Sequence, residues 1–199
     1  YTVNGDGSNL ARVSHGIEPA WSPDGKQITF ARWDNVLPGL YIANADGSDE
    51  RRIAAGPRIR WPRFSPDGKF IVFAQEKTKS DNNPIWKLGL VELATGNLTE
   101  PQCTQLCFMP SWNADSVTVA YADPGFGIMG TSILSGSPSL ILGPTGYYWD
   151  AAANIPRPIL HIPPIQSAAM SPDGKRIVYS QPAHDRYELN LVNADGTYS

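Results

Sequence analysis

Four stretches of this chain repeat one pattern, and that repetition constrains the fold more than any other feature. Pro19-Ala20-Trp21-Ser22-Pro23-Asp24-Gly25-Lys26-Gln27-Ile28-Thr29-Phe30 aligns without a gap to Pro62-Arg63-Phe64-Ser65-Pro66-Asp67-Gly68-Lys69-Phe70-Ile71-Val72-Phe73. A third copy runs from Ala168 to Tyr179, and a decayed fourth from Pro110 to Tyr121. Repeats of roughly 40 to 60 residues mark propellers, solenoids or arrays.

Each copy reads as strand, turn, strand. In Ser-Pro-Asp-Gly-Lys, proline presets φ, aspartate can bond its own backbone, and glycine supplies positive φ. The segment after the turn alternates: Ile28 and Phe30 point one way, Gln27 and Thr29 the other. Ile71 and Phe73, Val119 and Tyr121, and Ile177 and Tyr179 keep that phase. Such alternation predicts a hairpin strand with one face buried. A second element follows: Tyr41-Ile42-Ala43-Asn44-Ala45-Asp46-Gly47 matches Asn190-Leu191-Val192-Asn193-Ala194-Asp195-Gly196. Tyr1-Thr2-Val3-Asn4-Gly5-Asp6-Gly7 and Leu90-Val91-Glu92-Leu93-Ala94-Thr95-Gly96 are variants of it. Polar segments at 48–53 and 97–104 then read as exposed outer strands.

One unit is therefore four short antiparallel strands, and such sheets stacked around an axis make an all-β propeller. Trp21, Phe64, Trp112 and Met170 occupy one position of the inner strand and are expected to fill the space between neighbouring sheets. The chain reads as one domain, 1–199, with units at about 1–17 (partial), 18–57, 58–108, 109–165 and 166–199 (partial). That is about four blades of material, where propellers typically have about 4–8. Both partial units contain a third strand, so they duplicate rather than complement each other. The expectation is part of a larger or incomplete propeller.

Trp-Ser-Pro-Asp-Gly-Lys together with Asn-Ala-Asp-Gly resembles the PD40 (WD40-like) repeat of the TolB-type propeller family. The resemblance covers nearly the whole chain and is weakest over 123–166. It implies an extracytoplasmic propeller, periplasmic or secreted, that binds other proteins. The same repeat also builds the accessory propeller of prolyl-oligopeptidase-like serine peptidases, and a fold alone does not assign function.

The remaining residues narrow the function classes. A net charge of −3, with no basic run beyond pairs such as Arg51-Arg52, argues against a nucleic-acid partner. No stretch of about twenty apolar residues is present to span a membrane as a helix. His15, His161 and His184 lack metal-ligand spacing, and no Gly-x-Ser-x-Gly elbow occurs. The Asp-Gly turns offer too few oxygens for calcium and read as Asx turns. No catalytic residue, metal or cofactor is therefore expected, and the chain reads as a non-enzyme. Cys103 and Cys107 are the two cysteines. They can pair as a disulfide, suited to an oxidising compartment, or remain two small apolar side chains.

In a propeller the Ser-Pro-Asp-Gly and Asn-Ala-Asp-Gly turns share one face. The loops after each second strand and between units share the other, where function concentrates. That variable face carries Trp33, Arg58 and Arg60, and the irregular stretch 143–166 brings Tyr147, Tyr148, Trp149, Arg157 and His161. Exposed Trp, Tyr and Arg are enriched at binding hot spots. The leading expectation is an interaction scaffold presenting this face to another protein. The alternatives are the accessory propeller of a serine hydrolase and a carbohydrate-binding propeller using Trp33, Tyr147, Tyr148 and Trp149.

Overall fold

The computed structural model describes residues 1–78, 84–142, 147–150, 155–158, 167–183 and 186–197. Among these residues regular structure is entirely β. The first sheet is β1 (Ile17–Trp21), β2 (Gln27–Arg32), β3 (Gly39–Asn44) and β4 (Arg51–Ala55), in that spatial order. The second repeats it with β5 (Ile59–Phe64), β6 (Phe70–Thr78), β7 (Pro84–Glu92) and β8 (Leu98–Thr99). The third uses β9 (Phe108–Trp112), β10 (Thr118–Asp123), β11 (Gly127–Ser132) and β12 (Ser139–Leu142). A two-stranded sheet follows, β13 (Tyr147–Asp150) with β14 (Ile155–Pro158). The last sheet has β15 (Ser167–Met170), β16 (Arg176–Ala183) and β17 (Arg186–Asn193). All strand pairs are antiparallel. Ahead of the first sheet, one isolated bridge joins Thr2 to Ala11.

The turn chemistry is repeated atom for atom. Ser22 Oγ donates to Asp24 Oδ1 at 2.6 Å and accepts from the Gln27 N–H at 2.9 Å, while the Lys26 N–H reaches Asp24 at 3.1 Å. Ser65–Asp67 and Ser171–Asp173 make the same bonds. Gly25, Gly68 and Gly174 sit at φ 70°, 71° and 69°, the left-handed region that glycine enters without steric cost. In the decayed copy Ser116 takes that conformation at φ 57°, and Asp115 compensates by accepting from the N–H groups of both Val117 and Thr118 at 2.8 Å.

These bonds to the ionised carboxylates have a pH consequence. The Ser22 hydroxyl and Lys26 N–H hold Asp24 below the ordinary aspartate range, and Ser171 and Lys175 do the same for Asp173. Burial pushes Asp67 up, but its bonds to Ser65 and Lys69 prevail and its pKa is also lowered. A carboxyl whose folded pKa lies below its unfolded value adds stability above the unfolded value, about 3.9, and loses it as pH falls through the folded one. The melting temperature should therefore fall below about pH 4. The Asp24→Asn/Asp67→Asn/Asp173→Asn variant should fall less steeply between pH 5 and 3. An unchanged slope would remove these turns from the acid response.

The sheets stack face to face. Ala31, Leu40 and Ile42 of the first sheet meet Ile59, Phe64, Ile71 and Phe73 of the second. Val72, Leu88 and Leu90 of the second meet Trp112, Val119 and Tyr121 of the third. Ala120, Ala122 and Ile128 of the third meet Ile177, Tyr179 and Val192 of the last. The alternating phase in the sequence is thus the face turned toward the preceding sheet. The expectation of one buried face is corrected: the next sheet covers the opposite side, so Val72, Ala74 and Ala120 are as buried as Ile71. Even Thr29 is fully buried, its hydroxyl donating to the Tyr41 carbonyl at 2.9 Å.

A second correction concerns the inner-strand position. Phe64 and Trp112 are buried as expected, and Met170 is partly so, but Trp21 is 52% exposed. Trp112 rests on the preceding sheet, its indole N–H donating to the Arg63 carbonyl at 3.0 Å and its ring 6.4 Å from that of Phe70. Among the described residues no sheet precedes the first, so Trp21 has no such platform. At the other end of the stack, Val178, Leu189 and Leu191 on the last sheet are exposed for the same reason.

Candidate functional site

The inner strands β1, β5 and β9 share an irregularity at their starts. Each has a bulge next to an X-Pro pair: Glu18-Pro19, Trp61-Pro62 and Met109-Pro110. Glu18, Trp61 and Met109 all take positive φ, at 54°, 51° and 48°. Proline has no N–H for the ladder and keeps the residue before it out of the right-handed helical region. In the last sheet Ala168 replaces the proline, and β15 pairs with β16 without a register shift. Bulges re-aim side chains and are common beside functional sites, and a non-glycine residue in this conformation costs about 1–3 kcal/mol.

Here the bulges aim side chains from three sheets at one another. The Glu18 carboxylate accepts from Arg60 Nε at 2.8 Å, from Arg60 Nη2, and from the Trp61 backbone N–H at 2.6 Å. This fixes the guanidinium 4.5 Å from the Trp61 ring centroid and 5.3 Å from that of Trp33. Trp33 is anchored by its indole N–H on the Ile59 carbonyl at 2.8 Å, yet is 44% exposed. Behind it Trp61, Trp86 and Phe108 form a triangle with ring centroids 5.5 to 5.7 Å apart.

The cysteine loop supports this triangle. Cys103 and Cys107 are joined as a disulfide, with Cα atoms 6.5 Å apart. The loop they close pairs with Trp86 on both sides: the Trp86 N–H donates to Gln105 at 2.9 Å, and the Cys107 N–H donates to the Trp86 carbonyl at 3.1 Å. Phe108 follows directly, and the Thr104 N–H is held by the buried Tyr121 hydroxyl at 3.1 Å.

Of the residues singled out in the sequence, the structure brings Trp33 and Arg60 together. Arg58 stands apart, paired with Glu76 at 2.9 Å with its own side chain largely exposed. Tyr147, Tyr148 and Trp149 lie on β13 and Arg157 on β14, with Tyr148 opposite Arg157. These strands form a separate hairpin rather than the outer strand of the third sheet, which is β12. His161 lies outside the described residues. Glu18, Trp86 and Phe108 were missed. The repeated X-Pro pair was the available signal for Glu18, since it marks the bulges. Among the described residues no three His, Cys, Asp or Glu side chains converge on a metal site, and no helix is long and apolar enough to cross a membrane. The arrangement offers planar aromatic faces and one oriented guanidinium, which are groups for recognition.

No family model matches the chain. An uncharacterized protein of Agrobacterium fabrum is 28% identical over 116 residues, covering 58% of this chain and 38% of that protein. The Tol-Pal system protein TolB of Francisella tularensis subsp. holarctica is 33% identical over 82 residues, covering 41% of this chain and 19% of that protein. The chain thus spans well under half the length of these curated relatives. Among solved structures, TolB from Acinetobacter baumannii superposes with a TM-score of 0.69 at 18% identity, over 97% of this chain and 45% of that one. An oligogalacturonate lyase in complex with manganese has a TM-score of 0.61 at 17% identity, over 89% and 47% of the two chains. The acylaminoacyl peptidase of Pyrococcus horikoshii has 0.61 at 10% identity, over 95% and 39%. These likenesses establish a TolB-like propeller fold.

Proposed function

We propose that this chain is a non-enzymatic interaction scaffold that presents its variable loop face to another protein in an extracytoplasmic assembly. The observation that carries this reading is the Glu18-braced Arg60 held between Trp33 and Trp61. Arginine and tryptophan dominate binding hot spots, and here their geometry is set before any partner arrives. The opposite face consists of repeated Asp-Gly turns whose polar groups already bond one another, as in Ser48 on Asp46 at 2.7 Å. Likeness to TolB proteins favours a protein partner. The Cys103–Cys107 disulfide favours an oxidising compartment. Arg58 and the β13–β14 hairpin, with Tyr147, Tyr148, Trp149 and Arg157, extend the same proposed surface.

A second reading, the accessory propeller of a serine hydrolase, draws on the likeness to the acylaminoacyl peptidase. One experiment separates the two. A photo-crosslinking amino acid is placed at Trp33 or, on the turn face, at Asp46, and the protein is exposed to an extract of its source. We expect a discrete polypeptide adduct from position 33, none from position 46, and loss of that adduct in Arg60→Ala. Equal labelling from both positions, or none, would overturn the scaffold reading. An adduct that reacts with a fluorophosphonate serine-hydrolase probe would favour the second.

A further inference from the structure

A cavity of about 400 Å³ opens on the variable face between the second and third sheets. The disulfide-closed loop forms one wall through Thr104 and Leu106, and Ile85 of β7 and Phe126 of the β10–β11 turn form others. Among the described residues Asp123 is the only charged one lining it, and it is 3% exposed. Its Oδ1 accepts the Gly125 N–H at 2.7 Å and the Phe126 N–H at 3.1 Å, while no described group donates to Oδ2 and no described cation pairs with the carboxylate. Lys87, on the same strand as Ile85, donates instead to the Thr104 carbonyl at 2.7 Å and the Cys103 carbonyl at 3.4 Å. The repeat supplies an internal comparison. Arg32 holds the same strand position in the first sheet, is 8% exposed, and is compensated by Glu50 at 2.9 Å. Buried charges are ordinarily paired, and turn N–H groups fix a carboxylate without cancelling its charge.

We infer that this cavity receives a lysine side chain of the partner protein, with the Asp123 carboxylate as its counter-charge. The lining selects the cation. Oδ1 is taken by the turn, which leaves one carboxylate oxygen. A single oxygen suits the point charge of an ammonium, whereas a guanidinium fork matches both oxygens of a carboxylate. Ile85, Leu106 and Phe126 suit the aliphatic stem, which long cationic side chains lay along apolar surface. One carboxylate among apolar walls lacks the oxygens that a calcium or magnesium ion requires. Phe126 is 58% exposed and forms a lip that a partner can reach. The net charge of −3 favours a basic partner. This inference deepens the protein-binding reading and rests on it, and it adds a contact apart from the Arg60 cluster.

The test follows the Gly125 and Phe126 amide signals of the isotope-labelled 199-residue chain by NMR as peptides are added. The probes are acetyl-Leu-Lys-Leu-amide, the same peptide with Nε-acetyl-lysine, and acetyl-Leu-Arg-Leu-amide. The lysine peptide should move both signals saturably. The acetylated peptide should bind at least about tenfold more weakly, as expected when a charged contact is lost. The arginine peptide should also bind more weakly than the lysine peptide. Asp123→Asn keeps an oxygen for the two turn N–H groups and should weaken the lysine peptide by about tenfold or more. If that variant does not fold, the comparison of lysine with acetyl-lysine on the unaltered protein decides. No saturable shift, equal affinity for lysine and acetyl-lysine, unchanged affinity in a folded Asp123→Asn, or equal or tighter binding of the arginine peptide would overturn the inference. The crosslink from Trp33 does not involve Asp123. Failure here with that crosslink intact removes the lysine site alone, whereas loss of the crosslink removes the scaffold reading.

Discussion

Replacing Trp112 by alanine should destabilise the protein by about 3–5 kcal/mol, whereas the same change at Trp21 should cost about 0.5 kcal/mol. The two tryptophans occupy the same position of the same repeat. Trp112 is 7% exposed, wedged between the second and third sheets among Val72, Leu88 and Tyr121. Its removal opens a large cavity and leaves the Arg63 carbonyl without its indole donor. Trp21 is 52% exposed, on the side of the first sheet that no described sheet covers, so truncation leaves little void. Urea unfolding of the two variants measures the difference. Equal losses would mean that the first sheet is covered in solution by something the stack described above lacks.

The second large effect is expected at Glu18. Among the described residues its carboxylate is the sole acceptor for two Arg60 nitrogens and the Trp61 backbone N–H. Side-chain accessibilities of 18% for Glu18 and 34% for Arg60 place the pair partly in water. The full cost of breaking a buried pair, about 3–5 kcal/mol, is therefore discounted to about 2 kcal/mol for Glu18→Ala. Glu18→Gln keeps an acceptor for the Trp61 N–H and should lose about half as much. The sharper readout is near-ultraviolet circular dichroism, because Glu18 orients Arg60 against two indole rings and Trp61 against Trp86 and Phe108. Glu18→Ala should change that signal strongly. A variant with an unaltered tryptophan signal and stability within about 0.5 kcal/mol would mean that the cluster holds itself in place. The same variant should then abolish the crosslink at Trp33, since the binding surface depends on this carboxylate for its shape.

Much of the fold was legible because it is written in short windows. Ser22, Asp24, Gly25 and Gln27 lie within six residues and satisfy one another, so the turn appears wherever the words recur. The alternation of Ile71 and Phe73, or of Ile177 and Tyr179, marked a buried face of each strand, which in the structure is the one that meets the sheet before it. The division into a repetitive and a variable face followed from the same hairpins, and it led to Trp33 and Arg60. The hairpin 147–158 was less legible because its strands carry neither repeat signature, and it pairs with itself rather than with the third sheet.

What the sequence determined alone is the repeating sheet, its turns, and the phase of its side chains. Each rests on hydrogen bonds and sterics between near neighbours in the chain. Only the tertiary structure decided which copy of a repeated residue is buried, since Trp21 and Trp112 share one repeat position and, among the described residues, only Trp112 has a sheet before it to rest on. Only the tertiary structure, likewise, assembled Glu18 with Arg60, 42 residues apart. Such juxtapositions depend on how bulged strand ends from successive sheets converge, and no local pattern encodes that distance.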